Sequence, residues 1–286
     1  MASLPFPFFV NQAPVDDNES NKRSALAAVG RCRVAPSTCL GNDDEYRAIC
    51  SKTKEQALVD TETPETKDVN KKLKKKYMKQ SVAMASAYLE ETLKLDTSVV
   101  DVEIVVDSKD LIPTDGCLAA CLLDAGCARI VIDGWNVEAM DAAKIPRERL
   151  VAHFAEGGAA ATSQAISAAL VLADTISVQV NDVEAVDRIL EWIPEKKDHV
   201  VFQIQGQGDN TTLFSFVADV SKKCKDGKGS IGLVDPDATQ LGLAYAACMR
   251  TDRDDGLYTT VVCTRSGEAL GLVYSSKVRP YILDTF

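Results

Sequence analysis

The chain has 286 residues, of which 46% are apolar and only 6% aromatic, and a formal net charge of −10 at pH 7. That length accommodates one large domain or two ordinary ones. The acidic balance argues against a general nucleic-acid binder, which needs a cationic face for phosphate, and no run of about 18 apolar residues is present to span a membrane.

Alanine and valine dominate the apolar fraction, which suits close helix–sheet packing better than an aromatic-rich β-sandwich. Nine cysteines are scattered through apolar segments, an odd number with no CxxC pair. No secretory leader with an apolar core and cleavage site precedes them. Reduced thiols in the cytoplasm are the simplest expectation. The opening MASLPFPFF is poor in acids, but it has no arginine before Arg23 and DDNES follows at once, so organelle targeting is not expected.

Residues 1–66 show little sustained periodicity and carry the polar, breaker-rich strings APVDDNESNKR and DTETPETKD. They are expected to form a poorly ordered extension broken by short helices. Residues 67–95 read as a lysine-rich helix, with six lysines between 71 and 79 and no Gly or Pro. Such a face is more commonly solvated than bound to an anionic partner, while the apolar half, 82–95, packs on the body. Lysines in the first turns oppose the helix dipole, so fraying is expected at that end.

From 96 to 249 the texture changes to strand-then-helix units. Strands are expected near 99–107, 128–133, 149–155, 175–180, 199–205 and 230–235, each followed by a helical pattern. This spacing predicts an α/β fold, a parallel βα-repeat sheet covered by helices. Six units do not complete an eight-unit barrel. The reading is therefore an incomplete or degenerate TIM-barrel-like domain, with an open doubly wound sheet as the alternative. Near-even unit lengths and the absence of GxGxxG after the first strand favour the barrel.

In such sheets chemistry collects where strands end and helices begin. Asp107, Asp133 and Asp235 occupy those ends, as does Gln205. Two carboxylates across a barrel mouth serve as acid and base, although an Asp in that position more commonly caps the following helix. The glycine-bearing loops 156–163, 206–212 and 228–233 offer backbone N–H groups to a phosphate. None matches a Walker or Rossmann pattern. Cys117 and Cys121 share a helix face near Cys127, where packing thiols are more common than a soft-metal site. His153 lies in a strand and His199 at a strand start, and spacing gives neither a partner.

Residues 250–286 read as a fresh start: strands at 258–264 and 269–276, joined by the turn RSGE with Gly267 able to take a positive φ. The string RTDRDDGLYTTVVCTRSGEALGLVYSSK, 250–277, resembles the start of a phosphoribosyl-AMP cyclohydrolase domain. It is most similar to the form found in multifunctional histidine-biosynthesis proteins of fungi and related eukaryotes. LLDAGCARIVI (122–132) and IPRERLV (145–151) more faintly resemble the α/β region that precedes that domain.

The resemblance implies hydrolytic opening of the adenine ring of phosphoribosyl-AMP by a water activated on zinc, with magnesium at an aspartate cluster. It also allows a homodimer for the complete domain. In the family the metal ligands follow the LVYSSK strand. Here the chain continues VRPYILDTF, with no Cys or His beyond Cys263. The expectation is a truncated domain without its metal site, acting on neither nucleic acid nor membrane. The alternatives are a non-catalytic α/β scaffold or dimerisation domain, and a barrel enzyme on a phosphorylated sugar or nucleotide that uses Asp107 with a second carboxylate.

Overall fold

The structure is a computed structural model that describes residues 8–11, 31–34, 44–59, 67–92, 96–98, 101–155, 161–193, 200–205, 210–224, 230–234, 259–263 and 269–273. Eight strands share one order: β1 (Phe8–Asn11), β2 (Arg31–Val34), β3 (Asp101–Val105), β4 (Arg129–Asp133), β5 (Leu150–Phe154), β6 (Thr175–Val180), β7 (Val200–Gln205) and β8 (Ser230–Val234). Each neighbours the next in chain order and β1 lies beside β8, the strand order of a closed barrel. The β3–β4, β4–β5, β7–β8 and β1–β8 registers are all parallel.

The barrel-like reading is therefore borne out over the open doubly wound one. All six expected strands are present, each within two residues of its expected ends. The two strands that the count lacked come from the segment expected to be a poorly ordered extension. That expectation is corrected where β1, β2 and the 15-residue α1 (Asp44–Leu58) stand. Four-residue strands are too short to show a period of two in sequence. In β2 the alternation is further hidden by Arg33, which reads as a surface residue but is 1% exposed.

The described residues group into two compact units. The first holds Arg33–His153 and Gln164–Ile176. In it β3, β4 and β5 lie side by side, and the register separates their two faces. Ile104 pairs with Ile130, Ile130 with Leu150 and Ile132 with Ala152, all fully or almost fully buried. Since side chains alternate along a strand, Glu103, Arg129, Val131, Asp133, Val151 and His153 share the opposite face. Each fully buried Ile or Leu on the apolar face contributes roughly 1.5–3 kcal/mol by leaving water.

Helix α1 packs against α2 (Lys67–Ala87), and both pack against α4 (Cys117–Asp124), which follows the one-turn α3 (Ser108–Leu111). The lysine-rich face of α2 is exposed, and it is Ser81 and Ala85 that turn inward. Helix α2 then widens into a π-helical turn, Tyr88–Thr92. The Tyr88 ring lies 6.1 Å from that of Tyr46, centroid to centroid.

The end of α4 shows how local sequence sets β4. Gly126 takes φ +113, its N–H donates to Leu123 O, and the Cys127 N–H donates to Leu122 O. This is a Schellman C-cap, which needs a residue without Cβ at that point. It turns the chain from DAGCA directly into the strand RIVID. Helix α5 (Val137–Ala142) follows β4.

The second unit holds the described residues of Met1–Cys32, Phe154–Ser163 and Ser177–Phe286. Helices α7 (Val183–Trp192) and α8 (Asn210–Lys223) pack together, and α8 contacts β8. The remaining helix, α6 (Ser163–Leu172), belongs with the first unit from Gln164 onward. In the second unit Gln203 of β7 stands opposite Gly232 of β8. A Cβ on Gly232 would lie 2.6 Å from the Gln203 amide, so the glycine makes room for that side chain. The terminal segment forms the expected hairpin, with β9 (Thr259–Cys263) antiparallel to β10 (Ala269–Val273) as a separate two-stranded sheet.

Candidate functional site

The polar face of β3–β5 divides along the strand direction. Toward the strand starts, Glu103 is buried between two guanidiniums. Arg33 donates to its Oε2 from Nε at 3.0 Å and from Nη2 at 2.7 Å, and Arg129 donates from Nη1 to Oε1 at 3.0 Å. Burial pushes the Glu103 carboxyl up, but Arg33 and then Arg129 outweigh it and hold the group below the ordinary carboxylate value. A carboxylate this enclosed, with its lone pairs turned to arginines, ties three strands together and has no access to a reactant.

At the strand ends the same face carries a different pair. Asp133 is the last residue of β4, and its register partner is His153 of β5. Parallel neighbours lie about 4.7–4.9 Å apart, so the carboxylate and imidazole leave adjacent positions on one face. Asp133 is exposed and His153 half-buried, which places the pair at the solvent edge.

The backbone around the pair is held tightly. The Gly134 N–H donates to His153 O at 2.8 Å, and the Asn136 N–H donates to Asp133 O at 3.0 Å. Oδ1 of Asp133 accepts from the Trp135 N–H at 3.1 Å, and Asn136 caps α5 by accepting from the Ala139 N–H at 2.9 Å. This DGWN turn fixes the Asp133 backbone and leaves the indole of Trp135 about half exposed, at 48%, beside it. One carboxylate and one imidazole thus leave adjacent register positions at the end of β4–β5, with an exposed tryptophan two residues beyond Asp133. Such a set can hold a small molecule and move a proton.

The three aspartates read from the sequence fare differently. Asp107 is the N-cap of α3: its Oδ1 accepts from the Lys109 N–H at 3.3 Å and its Oδ2 lies 2.9 Å from Lys109 Nζ. The Lys109 side chain is the main reason its carboxyl titrates below the ordinary value. It caps that helix, the role an Asp in this position more commonly takes. Asp133 stands at the site, partnered by an imidazole in place of a second carboxylate. Asp235 lies outside the described residues, as do His199 and most of the three glycine-bearing loops. His153 gave no signal in sequence because its partner depends on β4–β5 register, which spacing does not reveal.

Cys121 and Cys127 are buried and Cys117 half-buried. Burial, reinforced by Asp124, pushes the Cys121 thiol up to about 12, and burial does the same to Cys224. Both stay protonated at neutral pH, as packing thiols do. Among the described residues no three His, Cys, Asp or Glu side chains converge. The zinc and magnesium attached to the resemblance find no ligand set there, and no step below is routed through a metal. Among the same residues no helix is long and apolar enough to cross a membrane.

No family model matches the chain, and no curated protein matches it. Several solved structures are similar to it. One is a 4-hydroxy-2-oxoglutarate/2-dehydro-3-deoxyphosphogluconate aldolase from TTHB1, with 13% identity and a TM-score of 0.41, covering 85% of this chain and 94% of that one. Another is a dihydrodipicolinate synthase from Oceanobacillus iheyensis, with 12% identity, a TM-score of 0.43, and coverage of 87% and 74%. A third is tryptophan synthase from M. tuberculosis, with 9% identity, a TM-score of 0.39, and coverage of 79% and 80%. At these scores they carry no activity over to this chain, and the architecture stands on its own strand order. The phosphoribosyl-AMP cyclohydrolase function expected from the terminal string is corrected: no family model, a cyclohydrolase one included, matches the chain. The non-catalytic scaffold reading is not supported either.

Proposed function

We propose that the βα domain acts on a small polar molecule at the C-terminal edge of β4–β5, with His153 transferring a proton and Asp133 orienting and stabilising the imidazole. The observation that carries this reading is the register pairing of Asp133 with His153 on the polar face, at the ends of adjacent strands. Ends of parallel strands are where βα domains assemble catalytic groups from separate elements. An imidazole is the side chain best matched to proton transfer near neutral pH. Trp135 supplies the apolar wall that such a site needs for binding. A reducing, cytoplasmic setting fits the buried, protonated thiols of Cys121 and Cys224.

The test uses the imidazole ring itself. The chain has two histidines, so ring nitrogen resonances assign readily with a His199→Gln control. The Asp133→Asn substitution is expected to change the tautomer balance of His153 and leave His199 unmoved. A panel of small sugars, oxo acids and amino acids is expected to contain compounds that shift His153 saturably in the wild type and not in Asp133→Asn. Identical His153 resonances in wild type and Asp133→Asn would end the proposal, because the two side chains would then not be in contact.

A further inference from the structure

A second site lies in the other compact unit and is independent of the Asp133–His153 pair. A cleft of about 260 Å³ opens beside α7, between that helix and the end of β6. Helix α7 presents two stripes. Val186 is buried, as is Ile193 just past the helix end. Ala185, Arg188, Trp192 and the buried Ile189, spaced i, i+3, i+7 and i+4, line the cleft. The far wall is the end of β6 with Gln179, Asn181 and Asp182.

The polar groups define the charge of an occupant. Among the described residues, Arg188 Nη2 reaches a carboxylate only at Asp182 Oδ1, and only at 4.0 Å, the outer limit of an ion pair. That carboxylate is already engaged in capping α7, accepting from the Ala185 N–H. Arg188 therefore keeps most of its donor fork available, and its side chain is 58% exposed. A guanidinium offers two parallel N–H groups to a carboxylate. One turn further along, Trp192 offers an indole face to a flat apolar body. Among the described residues the lining carries one guanidinium and one carboxylate, a balance that disfavours a dianion such as a phosphate ester. The volume falls below the roughly 300–1,000 Å³ typical for drug-sized ligands.

We infer that the α7 cleft binds a small planar monocarboxylate, its carboxylate on Arg188 and its flat body against Trp192. Recognition places the charged group toward Asn181 and the helix start, and the apolar group toward Ile189 and the end of α7. This is a binding site for an aromatic or conjugated acid.

The full chain has two tryptophans, so two indole N–H resonances report on Trp135 and Trp192, assigned with a Trp135→Phe variant. Benzoate is the probe, benzamide its neutral counterpart and inorganic phosphate the dianionic control. Benzoate is expected to shift the Trp192 resonance saturably, with neither control doing so. Arg188→Gln is expected to weaken benzoate binding on the order of tenfold or more, the value of a charge-assisted pair. Arg188→Lys should fall between, because it keeps the charge without the fork. Arg188 is solvent-facing, so an unchanged melting temperature confirms that both variants remain folded. Asp133→Asn should leave benzoate binding as it is, which separates this site from the one proposed above. No saturation up to about 10 mM benzoate, beyond the millimolar limit of weak specific binding, would overturn the inference. So would equal response to phosphate, or full binding by Arg188→Gln.

Discussion

Substituting Glu103→Gln keeps the size of the side chain and removes its charge, leaving two guanidiniums against a neutral amide. In the native structure the carboxylate accepts three hydrogen bonds, at 3.0 and 2.7 Å from Arg33 and 3.0 Å from Arg129. A hydrogen bond to a charged group is worth about 1.5–3 kcal/mol, but the three are not additive, and Gln still accepts at one oxygen. Arg129 is 26% exposed at its side chain and can turn to solvent, whereas Arg33 is 1% exposed and cannot. The loss is therefore set by Arg33 and should fall near the roughly 3–5 kcal/mol for breaking a buried pair by removing one partner. Against a total of about 5–15 kcal/mol for a domain, that is a large fraction. Urea unfolding at pH 7 measures it as a lowered midpoint with an unchanged slope. The pH dependence gives a second reading. Because the folded Glu103 carboxyl titrates below its unfolded value, its contribution is present above the unfolded value. It is lost as pH falls through the folded one. The wild type should thus lose stability below about pH 4, and Glu103→Gln should lack that part of the acid limb. A Gln variant within about 1 kcal/mol of wild type, with the acid limb intact, would show that the cluster is not a buried ion pair.

Gly232→Ala should cost at least about 1–3 kcal/mol by overpacking, because the new Cβ meets the buried Gln203 amide at 2.6 Å; a thermal melt of the variant checks it, and Gln203→Ala in the same background should relieve part of the loss. Gln203→Leu should be neutral or stabilising, since both amide atoms are buried without a partner among the described residues, and such a group costs about 1–3 kcal/mol. Cys121 and Cys224, with thiols pushed up to about 12, should react with a thiol reagent at pH 8 only at the rate of unfolding, and rapid labelling of either would refute their burial. Asp107→Ala should cost about 0.5–2 kcal/mol as a lost cap and leave any ligand response of His153 unchanged.

Much of the fold was legible because the signals were local. Strands such as RIVID and TISVQV are apolar or β-branched runs, and their helices follow at even spacing. What escaped the sequence depended on partners distant in the chain. Arg33 and Glu103 are 70 residues apart, and only their contact turns two charges that read as surface into interior groups. Without it β2 looks like a polar loop, and the strand count stops at six. Gln203 likewise reads as an ordinary strand residue until Gly232 opposite explains both. The aspartates at strand ends were legible as positions but not as roles, since capping and catalysis use the same residue at the same place. Asp107 and Asp133 both accept a backbone N–H two residues on. Asp107 also caps α3 and pairs with Lys109, whereas Asp133 leaves capping to Asn136 and stands in register with His153.

That difference follows from strand direction. In a parallel sheet every strand brings its start to one edge and its end to the other, so the two ends of one polar face can take on separate tasks. At the starting edge Glu103 is enclosed by cations and its charge is spent on cohesion. At the finishing edge the exposed Asp133 stands in register with His153, and the turn Gly134–Trp135–Asn136 uses backbone hydrogen bonds to hold the carboxylate in place. A proton-transfer group placed at the starting edge would have to compete with Arg33 and Arg129 for its charge. Among the described residues of β3–β5, the finishing edge brings Asp133 and His153 into register at the solvent edge, and it is there that a substrate-dependent change in His153 should be sought.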